Sequence, residues 1–313
     1  MKALLHLWRH MNEWLRALFI AMPVLMLLHL FVVRWVTVQN TSMYSTLLPG
    51  DLVAVNLLAG IGGYEVGDVV VFRDPVQDDR AMAARDLLVK RIVAMPGDTL
   101  RIKGGVVFVN DEPMPAPEGA TRSWLVRLKK EDQLGGVLTK LGLPSDFAPT
   151  GRTFIELPLN ETLVEDLTAS KLIADAEDMG TDRGSPDHIF PYSPTYRFNA
   201  DNYGPIAMPR SGDTVRIDVG RLPLYDRIIT RYEGHVLEAS GNNISMDGKL
   251  LEKYIIEGDY CFVMGDSRNH SSDSRYWGFL PMDHVVGRAA FVLLGQDGER
   301  GGFRSGRWFK YVD

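Results

Sequence analysis

An apolar segment near the start of the sequence constrains the fold more than any other feature. Residues 17–33 are apolar apart from His29, and Trp14 and Trp35 flank the run. A helix needs about 20 apolar residues to cross a bilayer, and tryptophan favours the two interfaces. We therefore predict one transmembrane helix over residues 17–35. No convincing small-x-small cleavage motif follows the run, so we expect the helix to remain as an uncleaved anchor.

Basic residues before this segment predict its orientation. Lys2, Arg9 and Arg16 precede it, and Glu13 is the single acidic residue among them. Positively charged flanks stay on the cytoplasmic side of a membrane. Residues 1–16 are therefore predicted to lie in the cytoplasm, and the chain after the helix is predicted to lie outside it.

The overall composition excludes several functional classes. A net charge of -6 over 313 residues offers no basic surface for nucleic acid. The single cysteine, Cys261, excludes an intramolecular disulfide framework and a cysteine-based zinc site. Its apolar neighbours indicate a packed side chain. We predict no metal, no cofactor and no nucleic-acid partner.

Beyond the anchor the sequence takes on the pattern of β-strands. Short apolar runs separated by Gly-Asp turns predict a mainly β protein built on a coiled antiparallel sheet. We predict a β core in two parts, residues 36–112 and 201–295, and a basic tail over 296–313. Prolines and a change of spacing mark residues 113–200 as an inserted α+β subdomain, in which 122–141 has helical spacing.

Two residues of the β core have side chains suited to nucleophilic chemistry. Ser42 lies in a polar turn directly after the anchor. Lys90 lies in a predicted strand among the apolar residues Leu87, Leu88, Val89, Ile92 and Val93. Burial disfavours the charged form of a lysine, and a neutral lysine is a competent general base for a serine. Taken singly, Ser42 could be a turn hydroxyl and Lys90 a solvent-facing strand residue, so the pair needs support from further motifs.

Four motifs, taken in order, supply that support. The sequence resembles bacterial type I signal peptidase over about residues 36–112 and 203–293. The matching motifs are Ser42-Met43 with Thr46-Leu47 and Gly50-Asp51; Gly67-Asp68-Val69-Val70-Val71-Phe72; Lys90-Arg91-Ile92-Val93-Ala94-Met95-Pro96-Gly97-Asp98; and Gly265-Asp266 to Ser271, Asp273-Ser274-Arg275 and Trp277-Gly278.

The resemblance implies a role for each residue of the site. It implies that Ser42 is the nucleophile and Lys90 the general base. Ser271 is expected to hydrogen-bond and orient Lys90. Asp273 and Arg275 are expected to form an ion pair that fixes the last loop behind the site. His270, beside Ser271 in the sequence, has no role in this family and is not expected to be the base.

The oxyanion hole is where this sequence departs from the family. The resemblance implies two donors, the backbone N–H of Ser42 and a short hydroxyl two residues earlier, where this chain has Asn40. We predict that the Asn40 amide donates in its place. Thr41 is the rival donor, although strand alternation points it to the opposite face. Asn40 could also simply cap the turn. Ser45 replaces a proline of the family.

Apolar pockets for the substrate are also implied by the resemblance. They would accept the small side chains of an Ala-x-Ala cleavage site, with the substrate added as an extended strand between the Ser42 and Lys90 segments. The expected pocket residues are Val36, Val38, Met43, Leu47, Val71, Leu88 and Val89. Tyr44 and Trp277 are expected to rest on lipid.

These features together predict the function. We expect a single-pass serine endopeptidase of the bacterial cytoplasmic membrane that removes signal peptides from exported preproteins, with the signal peptides and the lipid bilayer as its partners. Two alternatives remain open at this point. One is a self-cleaving, repressor-like Ser-Lys protease, and the other is an inactive anchored β-domain that binds exported chains through its insert. An active-site acylation assay would distinguish them.

Overall fold

The computed structural model describes residues 11–180, 188–297 and 301–313 of the chain. Within them it contains twenty β-strands, which confirms the mainly β class. In chain order the strands are β1 (Val33–Thr37), β2 (Asp51–Asn56), β3 (Val69–Arg73), β4 (Leu87–Ala94), β5 (Thr99–Lys103), β6 (Val106–Val109), β7 (Glu112–Pro113), β8 (Arg122–Leu128), β9 (Phe154–Leu159), β10 (Ile173–Asp178), β11 (Asn202–Ala207), β12 (Thr214–Arg216), β13 (Leu237–Ser240), β14 (Asn243–Met246), β15 (Lys249–Leu250), β16 (Lys253–Ile255), β17 (Tyr260–Met264), β18 (Leu280–Pro281), β19 (Val285–Gly295) and β20 (Lys310–Tyr311).

Short helices connect these strands. The α-helices are α1 (Glu13–Phe31), α2 (Ala59–Gly62), α3 (Leu134–Leu141), α4 (Glu161–Ala169), α5 (Leu222–Arg227) and α6 (Ser274–Trp277). A π-helical turn, Ile228–Tyr232, extends α5, and 3₁₀ turns occupy Met82–Ala84, Glu131–Gln133, Met282–His284 and Ser305–Arg307.

Helix α1 is the apolar segment found in the sequence. It is long and apolar enough to cross a membrane, and none of its side chains is buried against the rest of the protein. The Asn12 side chain caps its start by accepting the Trp14 N–H. The helix ends at Phe31 and not at residue 35, because the next residues pair with β2 as strand β1. Lys2 and Arg9, used to predict the orientation, lie outside the described residues.

The central sheet carries both halves of the β core. Its strand order is β1-β2-β19-β3-β4-β17-β18, with β20 paired to β19, and all its pairings are antiparallel. Strands from the two ends of the sequence therefore alternate across one sheet. A four-stranded sheet, β11-β5-β6-β7, and two smaller sheets pack around a second core beside it. Strand β1, which follows α1, forms one edge of the central sheet, and β18 forms the other.

The inserted segment forms an α+β unit with its own core. Strands β10-β8-β9 make a three-stranded sheet covered by α3 and α4, and their apolar residues form a separate cluster. The helical prediction for residues 122–141 is wrong in its first half, because Arg122–Leu128 is strand β8. Val126 and Leu128 of that strand are buried and Arg127 between them is exposed, which is the alternation of a half-buried strand.

Tyr44 connects the insert to the β core. It lies two residues after Ser42 in the same turn, but its ring lies in the core of the insert and its hydroxyl donates to the Leu141 carbonyl at 2.9 Å. Only 1% of Tyr44 and 9% of Trp277 are exposed. The prediction that these two aromatics rest on lipid is therefore wrong: both are structural.

Candidate active site

The two residues proposed from the sequence meet in the structure. Ser42 lies in the turn between β1 and β2, and Lys90 lies in the middle of β4. Their side chains come together with Lys90 Nζ 2.6 Å from Ser42 Oγ. Both residues are buried, with 2% of Lys90 and 7% of Ser42 exposed. A nucleophile and a base within hydrogen-bond distance, shielded from water, form a unit that can attack a carbonyl carbon.

Burial sets the protonation of Lys90. Removal of the amine from water lowers its pKa to about 8, against the raising effect of Asp273, Asp266 and Asp74. Its hydrogen bonds go to Ser42 Oγ and, at 3.0 Å, to the Val89 carbonyl. A substantial fraction of Lys90 is therefore neutral near pH 8 and available to accept a proton.

Asn40 lies against the nucleophile, but as a hydrogen-bond acceptor. Its Oδ1 accepts from the Ser42 hydroxyl at 2.8 Å and from the Ser42 backbone N–H at 3.3 Å. This is the short-range turn in which an asparagine caps its own backbone two residues on. The predicted donation from the Asn40 amide is therefore not what this conformation shows. The Ser42 N–H, the other predicted oxyanion donor, is bonded to Asn40 as well.

Ser271 lies beside the dyad without orienting it. Its buried hydroxyl makes no hydrogen bond to Lys90, so the predicted bond is absent; it interacts with Asp273 instead and helps to lower the pKa of that carboxylate. The Lys90 amine lies against Ser42 Oγ instead, and Ser271 packs against Gly265. A Cβ added at Gly265 would lie 2.3 Å from Ser271 Oγ and 2.4 Å from the Ser42 carbonyl oxygen. The site therefore requires glycine at position 265.

Asp273 and Arg275 are brought together at the back of the site. Arg275 Nε lies 2.9 Å from one carboxylate oxygen of Asp273 and Nη2 lies 2.8 Å from the other, and both side chains are fully buried. Burial by itself would raise the pKa of Asp273, but the charge of Arg275 and its hydrogen bonds bring that pKa below its usual value. Asp273 also accepts the Gly265 N–H at 3.0 Å, which fixes the loop that follows β17.

A second buried ion pair was not identified from the sequence. Arg91 grips Asp266 through two hydrogen bonds of 2.9 and 2.8 Å, and Thr46 donates to the same carboxylate at 2.6 Å. The Ser267 N–H donates to the Ser42 carbonyl at 3.1 Å. Together these contacts hold the turn that carries Ser42 and Thr46 against the loop that follows β17. An arginine directly after Lys90 in a buried strand was the available signal, since a buried arginine needs an acidic partner.

Arg307 of the tail forms a third such pair, with Asp51. Its Nε lies 2.9 Å from Asp51 Oδ1, its Nη2 contacts the other oxygen, and Nη2 also donates to the Thr46 carbonyl at 2.8 Å. The tail, predicted only as basic, therefore contacts the turn that carries Ser42 at its last residues, Thr46 and Asp51. Position 307 lies far from the other site residues in sequence, and nothing in its neighbourhood indicated this contact.

An open cavity of about 430 Å³ adjoins the dyad. Of the seven predicted pocket residues, Leu88 alone lines this cavity, because it shares a face of β4 with Lys90. The other six lie in one apolar cluster on the opposite face, and Met43, Leu47 and Val71 are at most 1% exposed. The remaining wall of the cavity is formed by Asn40, Thr41, Asp74, Val76, His270, Ser272 and Trp277.

His270 lines the same cavity but is not placed to be the base. Burial lowers the pKa of its imidazole, and Nε2 lies 3.9 Å from a Glu156 oxygen. Its ring packs 5.6 Å from that of Phe147 in the insert. Lys90, and not His270, is the titratable side chain that hydrogen-bonds to Ser42.

The geometry of this serine–lysine pair is now complete, and comparison with known proteins gives the family of the chain that carries it. The model of the family described as "Signal peptidase, peptidase S26" matches residues 11–145 and 206–294. The chain therefore belongs to the signal peptidase family, peptidase S26. The internal stretch between the two matched parts, residues 146–205, contains most of the inserted unit.

Curated relatives agree with this family. Signal peptidase IB of Staphylococcus aureus strain MRSA252 is 28% identical over 201 residues, covering 62% of this chain and 97% of that protein. The same enzyme from strain Mu50 is 29% identical over 178 residues, covering 55% and 87%. Signal peptidase I of Haemophilus influenzae is 41% identical over 68 residues, covering 20% and 19%.

The role of Asn40 is testable by separating its donor from its acceptor. If its amide turns over to donate to the oxyanion, Asn40→Ala and Asn40→Asp should both lower kcat by roughly 10²–10³-fold with little change in KM. Aspartate keeps the acceptor for Ser42 but has no N–H to donate. Because its charge would raise the pKa of Lys90, both variants are to be compared on the alkaline plateau of activity.

Thr41→Ala is the matched control for these variants and should be mild. An Asn40→Asp enzyme with near wild-type kcat would reduce Asn40 to a cap of the turn. A strongly reduced kcat in Thr41→Ala, with an unchanged kcat in Asn40→Ala, would assign the donor role to Thr41.

Proposed function

We propose that this chain is a membrane-anchored signal peptidase I in which Ser42 is acylated by preprotein signal peptides and Lys90 is the general base. One observation carries the proposal: a buried lysine with a lowered pKa lies 2.6 Å from a buried serine in a chain of the signal peptidase family. The reaction removes signal peptides by serine-peptidase chemistry. Every catalytic group in the proposal belongs to the protein.

Acylation begins when Lys90 is neutral. Protonated Lys90 donates to Ser42 Oγ, and the Ser42 hydroxyl then points to Asn40. After loss of its proton the amine accepts the hydroxyl hydrogen instead, and Oγ attacks the scissile carbonyl carbon. The negative charge on the carbonyl oxygen is stabilised by the Ser42 N–H and the second donor. When the C–N bond breaks, Lys90 gives its proton to the leaving amine, and the signal peptide stays on Ser42 as an ester.

Deacylation repeats these steps with water. Neutral Lys90 takes a proton from a water molecule, which attacks the ester carbon. Ser42 leaves as the alcohol and recovers a proton from Lys90. The signal peptide departs with a free carboxylate. The buried Asp273–Arg275 pair stays ionised throughout and keeps the loop in place.

The open edge of β4 gives the substrate a place to pair. Strand β17 pairs with β4 only at Arg91, Ile92 and Ala94, whereas β3 pairs with β4 from Leu87 to Arg91. Residues 87–90 therefore have a free edge on the side of β17, next to Lys90. We infer that the substrate adds there as an extended strand, which aligns its backbone with the nucleophile.

The membrane end of the molecule suits this substrate. Ser42 lies eleven residues after Phe31, the last residue of α1. The Leu57 N–H donates to the Val32 carbonyl at 2.9 Å, which places the turn at α2 beside the end of the membrane helix. Leu58 and Ile61 of that turn are 44% and 84% exposed. We infer that this turn touches the lipid surface, in place of Tyr44 and Trp277.

The two alternatives are disfavoured by specific observations. A repressor-like self-cleaving protease gives no reason for an apolar, wholly exposed helix joined to the edge of the sheet. An inactive binding domain gives no reason for an amine with lowered pKa held against a serine hydroxyl.

Substitution of the dyad tests the proposal directly. Ser42→Ala, Lys90→Ala and Lys90→Arg should each abolish cleavage of a synthetic signal-peptide substrate, because arginine keeps its charge and cannot act as a base. The readout is kcat/KM in detergent, with circular dichroism to check the fold. Lys103→Arg, on exposed strand residue Lys103, is the matched control and should be fully active. Substantial cleavage by natively folded Lys90→Arg would refute the general-base assignment.

Activity should depend on pH with a defined sign. The pKa of Lys90 is lowered to about 8, and the protonated form is inactive. Below pH 8, kcat/KM should therefore fall about tenfold per pH unit, and above it the rate should level off. Circular dichroism at each pH separates titration from unfolding. A flat profile from pH 6 to 10 in a folded enzyme would contradict the mechanism.

The orientation in the membrane is a separate prediction. We propose that the chain lies in the bacterial cytoplasmic membrane with its N-terminus in the cytoplasm and the domain after α1 outside. Protease added to spheroplasts should then digest the domain and leave α1 protected. Full protection of the domain until the membrane is dissolved would show the opposite orientation.

A further inference from the structure

A second groove lies next to the catalytic cavity. It has a volume of about 640 Å³ and shares Val76, Ser272 and Trp277 with that cavity. The two spaces therefore adjoin each other on either side of these residues. Both volumes lie in the range typical of ligand sites. The dyad needs only the smaller of the two spaces, so the larger one has no part in the mechanism derived above.

The walls of the groove are built by specific contacts. On one side, Arg227 of α5 reaches the loop after β3, donating to the Pro75 carbonyl at 2.5 Å and to Asp78 at 2.9 Å. On the other side, the Phe190 N–H donates to the Arg275 carbonyl at 2.9 Å, and the Tyr192 hydroxyl bonds to the Tyr276 carbonyl. These contacts join the groove to α6, the helix behind the active site.

The surface of the groove is mainly apolar with one acidic side chain. Phe190, Tyr192 and Leu222 supply aromatic and aliphatic surface, and 62% of Tyr192 is exposed. Asp226 is exposed at the rim, whereas Arg227 is engaged by the β3 loop. Such a surface suits an extended peptide with an apolar side chain and a neutral or basic neighbour. Acidic side chains would be disfavoured opposite Asp226.

The position of the membrane helix decides which part of a substrate enters. Helix α1 is joined to β1 at one edge of the central sheet, while the groove is built from the β3–β4 loop, α5 and α6 toward the opposite edge. The apolar part of a signal peptide must stay in the bilayer, on the side of α1. The chain beyond the scissile bond therefore has to leave in the other direction, past Trp277.

We propose that this groove binds the residues of the preprotein that follow the scissile bond, the start of the mature chain, as an extended segment. The inference depends on the proposed peptidase function and adds to it a specificity determinant on the leaving-group side. It implies that the enzyme distinguishes substrates by residues of the mature protein as well as by the signal peptide.

Peptides of different length test the groove. All carry the same signal-peptide half, and they continue for one, three or six residues after the scissile bond. Wild-type kcat/KM should rise about tenfold from the shortest to the longest peptide. In Tyr192→Ala and Leu222→Ala the ratio between long and short peptides should fall toward one. Since the ratio is taken within each variant, a general loss of activity cancels.

A control and a charge reversal complete the experiment. Leu250→Ala, at a 67% exposed leucine of β15 outside the groove, should keep the wild-type ratio. Among six-residue extensions carrying Lys or Glu at each position in turn, the wild type should prefer Lys at one position by about threefold. Asp226→Lys should reverse that preference, while Glu238→Lys on exposed strand β13 should not.

The outcomes separate the groove from the peptidase function. Cleavage that depends on Ser42 but has the same long-to-short ratio in the wild type and the groove variants would overturn the groove alone. A ratio that responds instead to length on the signal-peptide side would overturn the direction proposed. Failure to cleave any peptide at any pH would overturn the proposed function and the groove with it.

Discussion

The contact between the buried amine of Lys90 and the hydroxyl of Ser42 is the interaction on which this site depends. Its chemistry comes from burial more than from any neighbouring charge: removal from water lowers the pKa of Lys90 although three carboxylates nearby raise it. The strands around β4 keep this amine dry. Without them Lys90 would be an ordinary surface ammonium, unsuited to the role of base that we propose for it.

The arginines around the site affect the lowered pKa of Lys90 through the acids that they contact. Asp273 and Asp266 are buried close enough to raise the pKa of Lys90, and each is gripped at two points by an arginine, Arg275 and Arg91. A buried ion pair adds little net stability, because desolvation offsets its attraction. Here its consequence is chemical: an acid neutralised by its own arginine has a weaker hold on the proton of Lys90. The same pairs fix the loop after β17 against the nucleophile turn.

The sequence predicted which residues meet at the site better than it predicted how their side chains are arranged. Ser42 and Lys90 were identifiable because a lysine in an apolar strand is costly unless it has a function. The order of strands was not identifiable, since β19 inserts between β2 and β3 from the far end of the chain. The pocket residues were assigned without the alternation of β4, which separates Leu88 from Val89. Ser271 and Asn40 were given roles that depend on the direction in which a hydroxyl or an amide points. That direction depends on tertiary contacts and cannot be read from the sequence pattern. Arg307 reaches the site only through tertiary structure.

Asn40 accepts hydrogen bonds from two groups of Ser42 that have separate roles in the proposed mechanism. One oxygen, its Oδ1, accepts both the Ser42 hydroxyl and the Ser42 N–H. In the proposed mechanism, Lys90 removes the proton of that hydroxyl, and the N–H is a donor for the oxyanion. While both groups donate to Asn40, the Ser42 hydroxyl points away from Lys90 and the Ser42 N–H is not available to an oxyanion. A scissile carbonyl that takes the N–H from Asn40 also weakens its hold on the hydroxyl, which then turns to neutral Lys90. Productive binding and activation of Ser42 are thus one rearrangement around a single side chain, which is exposed and free of the apolar cores.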